Sequence, residues 1–463
     1  MSSCSAIKTP QSSTSLEYLK TQPLQYHEDY SHINYVSKDE SIYLTGGLTI
    51  LQDRLIQSAL SSLGVKFVTL PNPTFESFQL GKSYGNKAQC NPTYFTVGNL
   101  IKYLIYLRDE QGIPTDEIVS KYVYVTAGGC GPCRFGMYVT EYKKALRDAG
   151  FGGLRITSFE HDKGIFQGES LDDNIMDFTP KFFITLIKAV LIGDLLNFIA
   201  HQKRPYEVHK GDTSKAIDKA IEIISQAFLS HSSLLVALYK ARKELDKVEL
   251  DTSLKKPKVL ITGEFWAAMT QGDGNYNLHK FLEEQGAQSI PQPVLNRLLL
   301  SIWEAEYAFE QTSKLTSNYK TGINLHQTKT KLMLKLAKVA IKLHIKLYAK
   351  LLGLKDYDIP DMDYLASLAK DYYPMECSGG EGHLEVAHLL ESIKHNIADM
   401  VISIKPFGCM PSSAVSDGIQ SLVLSHYPQA NFLSIETSGE GAANFYSRIQ
   451  MALFKAKEGM KSK

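Results

Sequence analysis

Residues 122–138 constrain the fold more than any other stretch of the chain. An apolar run, Tyr122-Val123-Tyr124-Val125, leads into Gly128-Gly129-Cys130-Gly131-Pro132-Cys133, and helical spacing follows from about Phe135 to Ala149. A short run of strand formers that ends at glycines predicts a buried strand and a tight turn. Two thiols at the end of a strand, beside a helix amino end, indicate a site for redox or metal chemistry.

The order of the remaining elements predicts parallel sheets. Apolar strands at 41–45 and 65–70 enclose a helix at 48–63, which is the β–α–β order of a parallel pair. A second series of strands begins at 259–265 and continues at 400–404 and 431–435. The sequence therefore predicts an α/β protein with two Rossmann-like (flavodoxin-like) parallel-sheet domains and helical inserts.

The chain, at 463 residues, is too long for one ordinary core. We expect a mobile N-terminal segment (1–35) and a first α/β domain (36–170) that holds Cys90, Cys130 and Cys133. A helical insert or bridge (171–255) follows, and then a second α/β domain (256–463) with its own helical insert, Cys377 and Cys409.

Composition narrows the class of protein. Fifty basic residues against forty-nine acidic ones give a net charge of +1, which does not favour nucleic acid or an anionic membrane as the main partner. The first 22 residues are polar, and no run of about 18 apolar residues occurs, so neither a signal peptide nor a membrane span is expected. Six cysteines without a secretion signal indicate the reducing cytoplasm.

Residues 331–352 form a predicted basic amphipathic helix, with a lysine every three or four residues and Leu, Ile and Val between them. A role at a membrane surface or in docking a partner is one interpretation. The favoured interpretation is a helix packed on the core with a solvated basic face.

Five cysteines are predicted to lie near loops where ligands collect in open α/β sheets. Cys130, Cys133 and Cys409 follow predicted strands, Cys90 precedes a helix, and Cys377 precedes a glycine-rich turn. Small neighbours and free backbone N–H groups suit the sulfurs of an iron–sulfur cluster. Only one Cys-x-x-Cys pair occurs, so an interdomain cluster fits better than a zinc site, which usually has two.

Two other interpretations of the cysteines stay open. Cys130-Gly131-Pro132-Cys133 is also the thioredoxin active-site sequence, in a fitting strand-then-helix context, although Gly129 replaces the usual tryptophan. Some cysteines could also be small apolar core residues. Arg134, Glu264 and His383 are candidate polar site residues, and Glu264 could equally cap the next helix. The chain contains no P-loop motif.

Several segments resemble the 2-hydroxyacyl-CoA dehydratase/benzoyl-CoA reductase superfamily, most closely the dehydratase-like region of large CoA-substrate activase proteins. The similar segments around the cysteines are Lys87-Ala88-Gln89-Cys90-Asn91-Pro92, the run 126–138 with its helix end at 144–152, and Pro406-Phe407-Gly408-Cys409-Met410-Pro411. Gly380-Glu381-Gly382 and the stretches 427–431 and 447–451 are also similar. The resemblance covers roughly residues 40–160 and 375–455.

The resemblance implies that Cys90, Cys133 and Cys409 hold a 4Fe–4S cluster with one iron left open. Cys130 and Cys377 depart from the family pattern and would supply a fourth ligand or extend the site towards a double cubane. That larger cluster takes six ligands, and five suitable cysteines are present.

The resemblance also implies an oxygen-sensitive reductase or dehydratase component that acts on acyl-CoA substrates. A separate ATPase activator chain would deliver its low-potential electrons, in a homo- or hetero-oligomer. A non-catalytic cluster carrier or electron-transfer subunit is the first alternative, and a thiol–disulfide oxidoreductase using Cys130 and Cys133 is the second.

Overall fold

Two four-stranded parallel sheets organise the chain. The computed structural model describes residues 30–128, 133–159, 175–317, 325–355, 357, 359–377 and 379–461. The first sheet has the order β2-β1-β3-β4 and contains β1 (Ile42–Thr45), β2 (Lys66–Thr69), β3 (Tyr122–Ala127) and β4 (Arg155–Phe159). The second has the order β6-β5-β7-β8 and contains β5 (Lys258–Gly263), β6 (Gln288–Ile290), β7 (Met400–Pro406) and β8 (Phe432–Thr437). All pairings are parallel, which confirms the predicted α/β fold with two Rossmann-like sheets.

Helices connect the strands and cover both sheets. Those up to the start of the second sheet are α1 (Ile50–Ser61), α2 (Phe75–Tyr84), α3 (Asn91–Asp109), α4 (Thr115–Lys121), α5 (Tyr138–Asp148), α6 (Pro180–Lys203), α7 (Asp212–Leu229) and α8 (Leu234–Leu245). Those after it are α9 (Phe265–Met269), α10 (Leu278–Glu284), α11 (Val294–Ser317), α12 (Leu325–Leu351), α13 (Met362–Ala369), α14 (Gly382–His395), α15 (Met410–Ala414), α16 (Gln420–His426) and α17 (Ala442–Lys461). A π-helical turn, Val415–Ile419, joins α15 to α16.

The segment between β2 and Cys90 is helical, although the sequence predicts a loop over 71–88. The Thr74 hydroxyl accepts a hydrogen bond from the Ser77 backbone N–H, and the Ser77 hydroxyl reaches back to the Thr74 N–H. This capping box starts α2, and burial of Phe78 holds it in place. The next helix, α3, begins at Asn91, which makes Cys90 its N-cap residue.

Helix α6 is the apolar centre of a helical layer shared by the two sheets. Its buried side chains belong to one hydrophobic cluster with residues of β1, β3, α11 and α14. Within the described part of the chain, Pro180–Tyr206 is the one stretch long and apolar enough to cross a membrane, and 67% of its most apolar window is buried in the protein. Such burial is typical of the core helix of a soluble protein.

Helices α2 and α3 join the two sheet units. Phe78 and Phe95 belong to the hydrophobic cluster of the second sheet, although both precede the third strand of the first. The Phe95 ring lies 5.0 Å from Phe78 and 5.5 Å from Trp266, centroid to centroid. This aromatic contact fixes the start of α3, and with it Cys90, against the second unit.

Candidate functional site

The carboxyl ends of the central strands carry the predicted site residues. In each sheet the first and third strands are neighbours, and the chain leaves them towards opposite edges. Ligands of open α/β sheets collect at this switch point. Cys133 follows β3, Cys409 follows β7, and Glu264 follows β5.

Three cysteines stand at the amino ends of helical segments. Cys90 is the N-cap of α3, Cys409 is the N-cap of α15, and Cys133 precedes the 3₁₀ turn Arg134–Met137 that leads into α5. All three have extended backbone angles and none uses its side chain as a cap. Backbone N–H groups of Phe135 and Ser412 lie beside the thiols of Cys133 and Cys409. At Cys90 the N–H groups of the first turn are already bonded to carbonyls, and Pro92 has none.

The loops of Cys90 and Cys409 are in direct contact across the domain junction. The Asn91 backbone N–H donates to the Phe407 carbonyl at 3.0 Å, and its side-chain amide donates to the Thr437 carbonyl at 2.7 Å. Gly408 has a φ of +79°, and a Cβ there would lie 3.0 Å from the Cys90 Cα. Only glycine meets both demands without strain, so this position sets how closely the two cysteines approach.

Cys133 is held beside the same pair. The Arg134 guanidinium donates to the Ala88 carbonyl, two residues before Cys90. The Cys90 sulfur lies 3.1 Å from the Tyr138 hydroxyl, on the helix that follows Cys133. Burial raises the pKa of the Cys133 thiol to about 11, and the charges of Glu264, Glu381 and Cys90 contribute to the rise. The segments that carry Cys90, Cys133 and Cys409 therefore meet at the junction between the two sheets.

Buried carboxyls surround the thiols. Burial first, and then the charge of Glu381, raise the pKa of Glu264 to about 7. Burial raises the pKa of Glu385 to about 8, although a hydrogen bond of 2.6 Å from the Ser412 hydroxyl opposes the rise. Burial also raises the pKa of Cys409, with further contributions from Glu264 and Glu385. Two carboxyls beside the thiols therefore have pKa values close to neutral pH.

Glu264 caps a helix, which is one of the two roles that the sequence left as alternatives. Its Oε2 accepts a hydrogen bond from the Ala267 N–H at 2.8 Å and so caps α9. After burial, its charge also contributes to the raised pKa values of Cys133, Cys409 and Tyr138, so the carboxyl lies near them. The preceding Gly263 has a φ of +121°, and a Cβ there would lie 2.1 Å from the Ile404 carbonyl oxygen. Glycine thus lets β5 and β7 run close together below the site.

One arginine balances part of this acidity. Arg297, on α11, lies 3.6 Å from a Glu304 oxygen and 3.8 Å from a Glu381 oxygen. Burial raises the pKa of both carboxyls, and the Arg297 charge opposes the rise. Sequence reasoning missed Arg297, Glu304 and Glu385. Glu385 could have been found from its spacing. It follows Glu381 by four residues, which puts both side chains on the same side of the start of α14.

The remaining predicted residues lie in different surroundings. His383 is buried against the Trp303 ring at 5.1 Å, its Nε2 has no hydrogen-bond partner among the described residues, and burial lowers its pKa to about 4. Cys377 is exposed, and burial raises the pKa of the nearby Tyr373, with a smaller contribution from the charge of Cys377. Cys130 lies outside the described residues, as does the predicted N-terminal segment up to residue 29.

The donor set suits a soft, thiolate-bound metal centre. Within the described ranges, no three His, Cys, Asp or Glu side chains form a group that could hold a single metal ion. In an iron–sulfur cubane each thiolate binds a different iron, so its ligands stand farther apart than those of one ion. Cysteine side chains bind the irons of such a cluster as thiolates, so any proton on the thiols would be lost on binding. The residues present therefore fit such a cluster in the chemistry of their donors.

A scan against models of known protein families gave no match, and neither did a search of curated proteins. The resemblance described above therefore rests on the cysteine segments themselves.

Proposed function

We propose that the chain is an iron–sulfur protein in which Cys90, Cys133 and Cys409 hold a 4Fe–4S cluster between the two sheet domains. One observation supports this most. Three cysteines from two domains stand at N-cap positions of helical segments, at the switch points of both sheets. When bound, the cluster supplies low-potential one-electron transfer and an iron open to a substrate oxygen.

We propose a reductive role, as a reductase or dehydratase component acting on an acyl-CoA substrate in the cytoplasm. A separate ATPase activator would supply the electrons, as the family resemblance implies. Reduction of a substrate consumes protons, and the buried carboxyls of Glu264 and Glu385 can hold and release protons close to neutral pH. Arg297 lies beside Glu304 and Glu381, and its positive charge limits the repulsion between these two carboxyls when one of them ionises.

Anaerobic purification with iron and acid-labile sulfide analysis tests the cluster. We expect a brown protein with both elements, and loss of both in Cys90→Ser, Cys133→Ser and Cys409→Ser. Cys4→Ser is the matched control and should keep its iron. A colourless, iron-free protein that reduces disulfides would overturn the proposal in favour of the Cys130/Cys133 dithiol.

Cys130 and Cys377 remain candidate further ligands, and their serine variants decide the point. Loss of iron in either variant would extend the ligand set beyond three cysteines. To separate catalysis from electron carriage, the reduced holoprotein is mixed with an ATPase activator of this family and 2-hydroxyacyl-CoA substrates. ATP-dependent turnover supports the enzyme, and reduction of the cluster without turnover supports a carrier.

A further inference from the structure

Helix α12 presents a large apolar surface to solvent. Six side chains on its outer face are between 43% and 62% exposed: Leu332, Met333, Leu336, Val339, Leu343 and Leu347. The opposite face carries Leu334, Ile341, Ile345 and Tyr348, all of which are buried. The helix is packed on the core as the sequence predicts, but its solvent side is apolar as well as basic. We call the six exposed residues the α12 stripe.

Charge along the helix is entirely of one sign. Leu325–Leu351 contains no Asp or Glu and seven lysines: Lys329, Lys331, Lys335, Lys338, Lys342, Lys346 and Lys350. Lys338 turns towards the protein, where it pairs with Glu306 at 3.3 Å and Asp363 at 3.5 Å. At about 100° per residue, Lys335, Lys342 and Lys346 lie together along one flank of the stripe. Ala337 and His344 occupy the other flank.

We propose that the α12 stripe binds an acidic amphipathic helix of a partner protein. The stripe residues Leu332, Leu336, Val339 and Leu343 recur at intervals of four, three and four, which is the spacing of a helix–helix seam. The stripe is about 22 Å long at 1.5 Å per residue. A partner helix with its own apolar seam would cover it, and a row of Glu or Asp beside that seam would face the lysine flank.

The arrangement of the lysines disfavours the other occupants. A second copy of this chain, packed antiparallel, would bring Lys335 and Lys342 against the same residues of the first copy. In a parallel pair, the lysine flank of one copy would face Ala337 and His344 of the other copy, and neither residue carries a negative charge. A membrane surface meets both flanks of a helix equally, whereas Lys335, Lys342 and Lys346 follow one flank and only Lys329 and Lys350, beyond its two ends, are in line with the stripe. The stripe also contains no Trp, Tyr or Phe of the kind that anchors interfacial helices.

Binding of designed helical peptides to the full chain tests the proposal. One fluorescent peptide of about three heptads has Leu at the seam positions and Glu beside them, and a matched peptide has Lys in place of Glu. We expect the Glu peptide to bind in the micromolar range by fluorescence anisotropy and the Lys peptide to bind at least about tenfold more weakly. Raising the salt concentration should weaken the Glu complex.

Two variants locate the binding site. Leu336→Ser/Leu343→Ser removes exposed apolar groups, so the fold should persist while affinity for the Glu peptide falls at least about tenfold. Lys335→Gln/Lys342→Gln leaves the seam intact and should reduce both the affinity and its salt dependence. Iron content should stay unchanged in both variants, so failure of this proposal and failure of the cluster proposal are distinguishable.

Three results would overturn the proposal. The first is no binding of the Glu peptide at about 100 µM, or equal binding of the two peptides. The second is binding of phosphatidylserine vesicles without binding of the Glu peptide, which would assign the surface to lipid. The third is a wild-type dimer that Leu336→Ser/Leu343→Ser dissociates and that the peptide does not compete for, which would assign the surface to a second copy.

Discussion

Replacing Glu385 by Gln removes a proton-binding group from the centre of the site. Glu385 is 1% exposed, and its Oε2 has no hydrogen-bond partner in the described part of the chain. Its other oxygen accepts the Ser412 hydroxyl at 2.6 Å. Burial, with the charges of Glu381 and Glu264, raises its pKa from 4.5 to about 8, while Ser412 and Lys405 oppose the rise.

The raised pKa gives a stability effect of known sign. The folded state binds the Glu385 proton more tightly than the unfolded state, so the stabilisation is fully present below pH 4.5 and is lost as the pH rises through about 8. Between pH 5 and pH 8 the wild type should lose about 3–4 kcal/mol of unfolding free energy through this group. Glutamine stays neutral throughout, so Glu385→Gln should lack that part of the pH dependence.

Urea unfolding of the cluster-free protein at pH 5, 6, 7 and 8 measures this difference. The exposed Glu222→Gln is the matched control and should follow the wild type. An infrared titration gives a direct readout, because the part of the protonated-carboxyl C=O stretch that disappears near pH 8 in the wild type should be missing from the titration of Glu385→Gln. The same pH slope in wild type and Glu385→Gln would refute the reasoning.

Three further substitutions test the geometry of the junction. Gly408→Ala should lower the free energy of unfolding by about 1–3 kcal/mol and lower the iron content, because the left-handed backbone and the 3.0 Å approach to Cys90 leave no room for a Cβ. Thermal unfolding measures the first effect and iron analysis the second. Arg297→Met should destabilise by about 3 kcal/mol at pH 8 and by less at pH 5, because the carboxyls that Arg297 faces have raised pKa values and take up protons as the pH falls; urea unfolding at the two pH values checks this. Phe95→Ala should cost about 3–5 kcal/mol in urea, whereas the half-exposed Phe75→Ala should cost much less.

The fold could be predicted because its evidence is local. Strands such as β3 and β7 are runs of strand-forming residues that end at glycines, and the helices between them show clear apolar spacing. Helix α2 was missed because Pro71 and Pro73 dominate the start of its segment, whereas its capping box at Thr74 and the burial of Phe78 against the second sheet decide the outcome. The latter contact joins residues far apart in sequence and leaves no periodic signal.

Some residues of the candidate site could likewise be identified from the sequence, and others could not. Cys90, Cys133 and Cys409 could be singled out because each cysteine is followed by a helix and flanked by small or turn-forming residues. Arg297 and Glu304 belong to a long helix far from any of these motifs, and only the packing of α11 brings them to the junction. The exposed stripe on α12 is another such case, since its residues have the same composition as a core face.

The shared strand order of the two sheets makes the site a duplicated arrangement with unequal halves. Cys133 and Cys409 occupy equivalent positions after the third strand of each sheet. The helix that Cys90 caps lies in the crossover before one third strand, and the helix that Glu381 caps lies in the crossover before the other. At these positions the first sheet unit contributes two thiols, and the second contributes one thiol and one carboxyl group. The two sides of the site therefore differ in the type of ligand atom that they present and in charge.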